Sequence, residues 1–166
     1  MRQILQGIKK RGKRYRLLDL GAGSGTTIND IATELEKRRL LGNVELYATG
    51  VKLMPEWKSL PNAAKIKWMV THTNNLAERF LPNSIDFVNA NYSLAHSQNK
   101  EDAFLQIHRI LRKGGRIIYS FNHNFLNKLP RIPKGFKAVK GKPQIKMSDP
   151  SEDTNTVTVV YYLEKK

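Results

Sequence analysis

The sequence predicts an α/β domain built on a mostly parallel, doubly wound sheet with helices on both faces. Short apolar runs typical of buried strands alternate with amphipathic, helix-spaced segments as far as residue 121, and this alternation favours parallel strands joined by helices. Glycine, proline or asparagine lies at the junctions, where turns belong. The 166 residues, of which 40% are hydrophobic, suit a single compact domain with a substantial core.

Five strands and four helical segments are predicted up to residue 121. The strands are short apolar runs that end at turn residues, and they cover residues 15–20, 44–51, 66–70, 85–89 and 116–121. The helical segments carry apolar residues three and four positions apart, a proline in an opening turn, or a Gly-Gly pair at the carboxyl end. They cover residues 26–41, 55–60, 75–80 and 101–111.

The last third of the chain has a different composition. Prolines and glycines break up residues 122–154, which are also basic. Two strands, at 136–139 and 156–163, are predicted to pair as a hairpin at the edge of the sheet. No long linker divides the chain, so we predict one minimal domain over residues 1–166 that begins with a basic segment at 1–14.

The composition excludes several classes of protein. The chain has no cysteine, which removes disulfide scaffolds, thiolate nucleophiles and Cys-based metal centres, and we predict no metal site. No apolar run approaches the roughly 20 residues that a transmembrane helix needs, so we expect no membrane association and a cytoplasmic location.

The chain is strongly basic: 29 Lys and Arg against 14 Asp and Glu give a net charge of +15. No acid precedes Asp19, and none lies between Ala103 and Ser148. A field of this sign favours phosphate-rich partners, and the basic runs at 9–16 and 128–146 are candidates to follow an RNA backbone. The aromatic side chains considered for stacking on RNA bases are Trp57, Phe125 and Phe136. The alternative is a solvated basic surface that serves solubility alone.

The strongest local signal is a strand that runs into a glycine-rich turn and then a helix, beginning at residues 17–25. Glycine permits positive φ and lets a ligand approach the backbone closely, while the first turn of the helix offers free N–H groups. These properties are typical of a site for a nucleotide-containing ligand. The dinucleotide fingerprint needs Gly or Ala where this chain has Thr26, and it does not call for the acid at Asp19.

The run Asp19-Leu-Gly-Ala-Gly-Ser-Gly25 resembles the first motif of the class I S-adenosylmethionine (SAM)-dependent methyltransferases. Residues 83–96, 110–118 and 135–139 are similar, in the same order, to the family's fourth-strand motif, to the turn before its fifth strand and to the start of its sixth. The resemblance implies a three-layer fold with a seven-stranded sheet in the order 3-2-1-4-5-7-6, an antiparallel last strand, and S-adenosylmethionine as the cofactor.

The same resemblance assigns the cofactor-binding residues. They are Asp19, Gly21, Ala22, Gly23 and Gly25 at the methionine end, Lys52 and Asn74 at the nucleoside end, and Asn89 at the end of the fourth strand. Lys52, which has only donors, lies where an acid usually accepts from both ribose hydroxyls. Asn74 offers a carbonyl where an Asp commonly accepts from the adenine amino group. A basic residue at Lys52 also suits the 2′-phosphate of NADP, so an NADP-binding protein is a minor alternative.

Methyl transfer depends more on in-line alignment of the reactants than on a base. Where a base is needed, Tyr92 and His96 are the candidates, because they follow the fourth strand and ligands bind outside the carboxyl ends of parallel strands. The alternative for each is a structural role. Asn89-Ala-Asn-Tyr92 is similar to the Asn-Pro-Pro-Tyr motif of enzymes that methylate nucleobase amines, but it lacks both prolines.

We therefore predict a SAM-dependent methyltransferase that acts on a small molecule or an RNA. The alternative from another class is a degenerate methyltransferase fold that serves as a basic RNA-binding or scaffold module without catalysis. Only about a dozen residues precede the first strand, so we expect an open cofactor site, or one that a partner or a second copy of the chain covers.

Overall fold

A computed structural model of the chain describes residues 1–11, 14–97, 99–124, 131–139, 144–147 and 156–166. For residues 95, 96, 122–124, 144–147, 156 and 157 it describes the backbone alone. Within this part of the chain, the strands are β1 (Tyr15–Asp19), β2 (Val44–Gly50), β3 (Ile66–Val70), β4 (Ile85–Asn91), β5 (Leu111–Asn124), β6 (Phe136–Ala138), β7 (Gln144–Met147) and β8 (Thr156–Lys165). The α-helices of the same part are α1 (Arg2–Arg11), α2 (Thr26–Lys37), α3 (Leu76–Arg79) and α4 (Lys100–Ile110). Short 3-10 helices lie at Leu41–Asn43, Pro55–Ser59, Ala63–Lys65, Thr73–Asn75 and Ser93–His96.

The strands form one sheet in the order β3-β2-β1-β4-β5-β8-β6, and β7 also pairs with β8. The pairs among β1 to β5 are parallel, whereas β8 is antiparallel to β5, β6 and β7. Because β8 is the last strand that the structure describes, the predicted order and the antiparallel last strand are confirmed. The additional strand β7 lies in the segment that prolines and glycines interrupt, where no periodic pattern marks it.

Helices cover both faces of the sheet, which gives three layers. One core lies between the sheet and helices α1 and α2, and it includes Ile4 and Ile28. The other lies between the sheet and helices α3 and α4, and it includes Ile107. Neighbouring residues of β1 divide between the two cores, Leu17 in the first and Leu18 in the second, as the period of two in a strand requires. None of the helices in the described parts of the chain has the length and apolar content that a bilayer span requires.

Helix α1 is absent from the sequence prediction, which treats residues 1–14 only as a basic segment. Its residues Ile4 and Ile8 are buried in the core shared with β1, and their spacing of four is the signal that points to a helix. Gly7 packs directly on Tyr15, because a Cβ at Gly7 would come within 2.4 Å of the tyrosine hydroxyl. Helix α1 is therefore part of the core.

We expect Ile4→Ala to lower the free energy of unfolding by about 2 kcal/mol, because it removes buried carbon atoms from the contact between α1 and the sheet. Gln6→Ala, on the exposed side of the same helix, should change it by less than about 0.5 kcal/mol. Urea denaturation followed by circular dichroism measures both variants. Equal values for the two would show that α1 is not docked on the sheet.

Candidate cofactor site

The glycine-rich loop between β1 and α2 is held by backbone hydrogen bonds to both neighbouring strands. The Leu20 N–H donates to the Asn89 carbonyl in β4 (2.8 Å), and the Ala22 N–H donates to the Thr49 carbonyl in β2 (2.7 Å). Gly25, which precedes the first residue of α2, donates to the Ala22 carbonyl (2.8 Å). The loop is therefore fixed at the carboxyl ends of three adjacent strands, β2, β1 and β4.

The three glycines of this loop have left-handed backbone conformations, but their surroundings differ. A Cβ at Gly21 would lie 2.5 Å from the Ser93 Cβ, and one at Gly25 would lie 2.7 Å from the Trp68 ring. A Cβ at Gly23, where φ is +54°, would meet no atom within 4 Å. Gly21 and Gly25 thus serve the packing of the loop, whereas Gly23 leaves open space beside the backbone.

Asp19, the last residue of β1, has a buried carboxylate that is only half satisfied. It is 3% exposed, and its Oδ1 accepts a hydrogen bond of 2.7 Å from the Asn89 amide. Its Oδ2 is buried and has no hydrogen-bond partner among the described residues. Burial raises the pKa of Asp19 to about 6, and the hydrogen bond from Asn89 opposes the rise. A buried acceptor without a donor is unfavourable, so this atom is suited to a donor group of a ligand.

A cavity of about 980 Å³ opens at the carboxyl edge of the sheet, beside the glycine-rich loop. Its wall is formed by Gly21, Gly23, residues 49–52, Met54, Trp57, residues 71–75, Ser93, Ser97 and Asn99. Lys52 is the one formally charged side chain on the described part of this wall. The volume lies at the upper end of the range for small-molecule and cofactor sites, roughly 300–1,000 Å³.

Trp57 forms part of the cavity wall and supports the loop. Its indole Nε1 donates a 2.8 Å hydrogen bond to the Gly23 carbonyl, and its ring stacks on Trp68 with the centroids 4.7 Å apart. Sequence reasoning missed this role, because the two partners of Trp57 lie in other segments of the chain.

Since Trp57 and Phe136 are buried, the prediction that they stack on RNA bases is wrong. Phe125 lies outside the described residues.

The residues predicted for the nucleoside end lie on the cavity wall in different environments. Lys52 is exposed and has no hydrogen bond or ion pair with another described residue. The Asn74 side chain is fixed, because its amide donates to Asp102 Oδ2 (2.5 Å) and its carbonyl accepts from the Ser97 hydroxyl (3.3 Å). Asp102 belongs to the first turn of α4, so this network joins the loop after β3 to α4. The Asn74 carbonyl retains a second lone pair for a ligand donor.

The segment after β4 contains the two predicted bases. Tyr92 is 43% exposed, adopts a left-handed conformation and is not part of the cavity wall; its hydroxyl lies 2.8 Å from Thr158 Oγ1. His96 ends a short 3-10 helix, and its side chain lies outside the part of the chain that the structure describes.

Ser93, which sequence reasoning missed, lies on the cavity wall, and its buried Oγ has no hydrogen-bond partner among the described residues. No local pattern marks Ser93, since its position depends on the contact with Gly21.

The structure divides the residues predicted to bind the cofactor into three groups. Those on the cavity wall are Gly21, Gly23, Lys52 and Asn74. Those that hold the backbone of the loop are Ala22 and Gly25, and those that pair with each other in β1 and β4 are Asp19 and Asn89. Within the described ranges, no group of three or more His, Asp or Glu side chains is placed to hold a metal ion.

The sheet order and the glycine-rich loop define a methyltransferase-type domain. Residues 18–119 match the family model described as a methyltransferase domain, and the chain therefore belongs to the methyltransferase family. The resemblance to the class I SAM-dependent methyltransferases, which the motifs predict, is confirmed.

Solved structures share this fold at low sequence identity. The MccD protein aligns with a TM-score of 0.69 over 98% of this chain and 96% of its own, at 14% identity. A Burkholderia thailandensis 1,6-didemethyltoxoflavin-N1-methyltransferase with bound 1,6-didemethyltoxoflavin and S-adenosylhomocysteine aligns with a TM-score of 0.66 over 98% of this chain and 76% of its own, at 18% identity. Haemonchus contortus phosphoethanolamine N-methyltransferase 2 in complex with SAM aligns with a TM-score of 0.65 over 99% of this chain and 52% of its own, at 15% identity. A search of curated proteins finds no match.

We expect Asp19→Asn to raise the free energy of unfolding of the ligand-free protein at neutral pH by about 2 kcal/mol. Folding raises the pKa of this carboxyl from 3.8 to about 6, so its ionisation destabilises the fold by up to about 3 kcal/mol, at about 1.4 kcal/mol per pKa unit. This destabilisation develops as the pH rises from about 4 to about 6 and is complete above that range.

Urea denaturation at about pH 4 and at neutral pH measures this effect. The advantage of Asp19→Asn over the wild type should be present at neutral pH and nearly absent at the lower pH. Asp30→Asn, at an exposed position of α2, is the control and should show no such pH dependence. An Asp19→Asn protein that is less stable than the wild type at neutral pH would show that the protein itself satisfies the carboxylate.

Proposed function

We propose that this protein is a SAM-dependent methyltransferase whose cavity at the carboxyl edge of the sheet holds the cofactor. One observation carries the proposal: the unpartnered Oδ2 of Asp19 lies at the end of β1, directly before a loop in which Gly23 borders the cavity. An ammonium group suits this oxygen, because a charge-assisted hydrogen bond compensates the burial of both groups. The methionine end of SAM carries such a group.

Each part of the site has a binding role in this proposal. The open side of Gly23 lets the ligand approach the backbone, and the Trp57 indole keeps Gly23 in place by donating a hydrogen bond to the Gly23 carbonyl. Asn74 presents its carbonyl to the adenine amino group. Lys52 donates to a ribose hydroxyl oxygen, which replaces the contact that an acid would make as an acceptor. The neighbours from Burkholderia thailandensis and Haemonchus contortus, solved with S-adenosylhomocysteine or SAM, support this choice of cofactor.

When bound, SAM supplies a methyl group on a positively charged sulfur, which is electrophilic without further activation. The contribution of the chain is binding and orientation, and a rigid loop that holds the reactants close together supplies much of the rate. No residue of α1 belongs to the described cavity wall, and Arg11 at the end of this helix contacts Asp86 at the opposite edge of the sheet. The proposed acceptor, a small molecule or an RNA nucleotide, enters from the carboxyl edge.

Isothermal titration calorimetry with S-adenosylhomocysteine tests this proposal, once any co-purified ligand has been removed. We expect micromolar binding of S-adenosylhomocysteine and no binding of NADPH. Lys52 is the observation that favours the second candidate, an NADP-binding protein, and binding of NADPH alone would establish it. Binding of neither ligand would overturn the proposal and favour the non-catalytic scaffold.

We expect Gly23→Val to weaken the binding of S-adenosylhomocysteine by at least about tenfold, because the new side chain occupies space in the cavity. Gly114→Val is the matched control: Gly114 also has a left-handed φ, +71°, and open surroundings, but it is not on the cavity wall. Both variants carry a similar backbone strain of about 1–2 kcal/mol, which thermal unfolding compares. Equal affinities in the two variants would place the ligand away from Gly23.

We expect Lys52→Glu to strengthen the binding of S-adenosylhomocysteine by about tenfold, because a carboxylate accepts charge-assisted hydrogen bonds from the ribose hydroxyls. Lys52→Gln separates the loss of positive charge from the gain of a charged acceptor. Calorimetric titration measures both variants against the wild type. Weaker binding by Lys52→Glu than by Lys52→Gln would show that the ribose does not lie beside residue 52.

A further inference from the structure

The amino edge of the sheet, formed by the amino ends of β1 to β5, carries ion pairs in which cations outnumber acids. Three acids contribute, and each is shared by two or three cations. Asp86 contacts Arg11 and Arg112, Glu45 contacts Arg14, Arg16 and Lys67, and Glu164 contacts Arg116 and Lys137. Seven cations against three acids leave an excess of four positive charges in these shared pairs, and the Lys65–Glu36 and Arg38–Glu34 pairs near β3 and the end of α2 are balanced.

The strand register makes this line of charges continuous. Arg16 lies beside Glu45 across β1 and β2, and Arg116 lies beside Glu164 across β5 and β8. Between them, a carboxylate oxygen of Asp86 in β4 accepts from the Arg16 backbone N–H (2.9 Å). From β3 to β6 the line crosses seven strands, or about 29 Å at roughly 4.8 Å per strand.

Further cations beside this line are exposed and have no acid partner in the described part of the chain. They are Lys9, Lys10, Arg109, Lys113, Lys134 and Lys166. They extend from the last turn of α1 to the end of β8. The paired arginines add to this set, because a guanidinium group has five N–H donors and here shares its carboxylate with another cation.

The amino edge is separate from the proposed cofactor site. The ion-paired Glu45 is the second residue of β2 and Thr49 lies on the cavity wall, so four residues, or about 13 Å at roughly 3.3 Å per residue, separate the amino edge from the cavity. Lys52 is the one formally charged side chain on the described cavity wall, so the cations of the amino edge lie away from this wall. A partner held at this edge therefore leaves the cavity open.

We propose that the amino edge binds the phosphate backbone of an RNA. A row of Arg and Lys suits this partner, because guanidinium groups match phosphate geometry and binding releases counterions from the RNA. Contacts to phosphates carry no sequence information, and Phe136, the aromatic residue of β6, is buried and offers no stacking surface. An RNA anchored here reaches the cavity only with a segment that spans about 13 Å or more.

A membrane surface suits the amino edge less well than RNA does. Among the residues that the structure describes, the exposed large apolar side chains beside the edge are single residues, Leu81 and Ile132. Peripheral membrane binding normally adds a contiguous apolar face to the basic charges. Val51 and Leu53, which are more closely grouped, flank Lys52 at the opposite edge.

Fluorescence anisotropy with a labelled, unstructured RNA of roughly twenty nucleotides tests the proposal on the full chain, between about 50 and 200 mM salt. The double variant Lys113→Glu/Lys134→Glu reverses two unpaired cations of the amino edge. The control Lys58→Glu/Lys100→Glu makes the same change in net charge at exposed positions that follow β2 and begin α4, on the side of the cavity.

We expect the amino-edge variant to bind RNA at least about tenfold more weakly than the wild type, and the control to lose less than about threefold. The slope of log K against log salt should become shallower by about 1.4 in the amino-edge variant, since each lost phosphate contact removes roughly 0.7 for a single strand. Thermal unfolding of both variants checks that they are folded.

Equal weakening in the two double variants would overturn the proposal, because net charge alone would then explain the binding. Absence of RNA binding by the wild type at the lowest salt would also overturn it. Binding of the wild type to phosphatidylserine vesicles would overturn it too, if the amino-edge variant lost this binding and kept its binding to RNA. The RNA-binding proposal does not rest on the proposed methyltransferase function. Titration of the same variants with S-adenosylhomocysteine distinguishes the two, because the amino-edge variant should bind that ligand as the wild type does.

Discussion

The burial of Asp86 at the amino end of β4 is the constraint on which the rest of the structure depends. Asp86 is 1% exposed, and a buried carboxylate is stable only when it is paired and hydrogen-bonded. The Arg16 backbone N–H, Arg11 at the end of α1 and Arg112 at the start of β5 supply these contacts. One carboxylate therefore joins the first helix, the two central strands and β5. A shifted register would leave its charge uncompensated, so this junction fixes β1 against β4.

The same two strands carry a second buried acid at their other end, in a different environment. The register of β1 and β4 places Asp19 beside Asn89, and the hydrogen bond between them leaves one carboxylate oxygen without a donor. The protein compensates Asp86 fully and Asp19 only in part, and burial accordingly raises the pKa of Asp19. Such a group destabilises the fold when it is ionised, which is the compromise expected where a site is built for a ligand and not for stability.

The sequence predicts those features that leave a local pattern. Alternation of strand-like and helix-like segments predicts the parallel α/β class, and the strand order comes from the motif resemblance. Helix α1 is missed because only Ile4 and Ile8 mark its buried face in a basic segment. Strand β7 is missed because it forms by pairing with β8, and its own short run of residues does not predict that pairing. At the site, Gly23 belongs to a contiguous motif and could be named in advance. Trp57 and Ser93 could not, because their positions come from contacts with distant segments of the chain.

The placement of charge reconciles a strongly basic chain with the proposed cationic cofactor. SAM carries a positively charged sulfur, so a dense positive field at the cavity would oppose its binding. The paired residues of the amino edge lie about 13 Å from the cavity along the strands, more than one Debye length at physiological ionic strength, where the Debye length is about 8 Å. Solvent and salt therefore screen most of their field before it reaches the cavity. A net charge of +15 is compatible with this site because, among the residues that the structure describes, seven paired and six unpaired cations lie at the ends of the strands opposite the cavity.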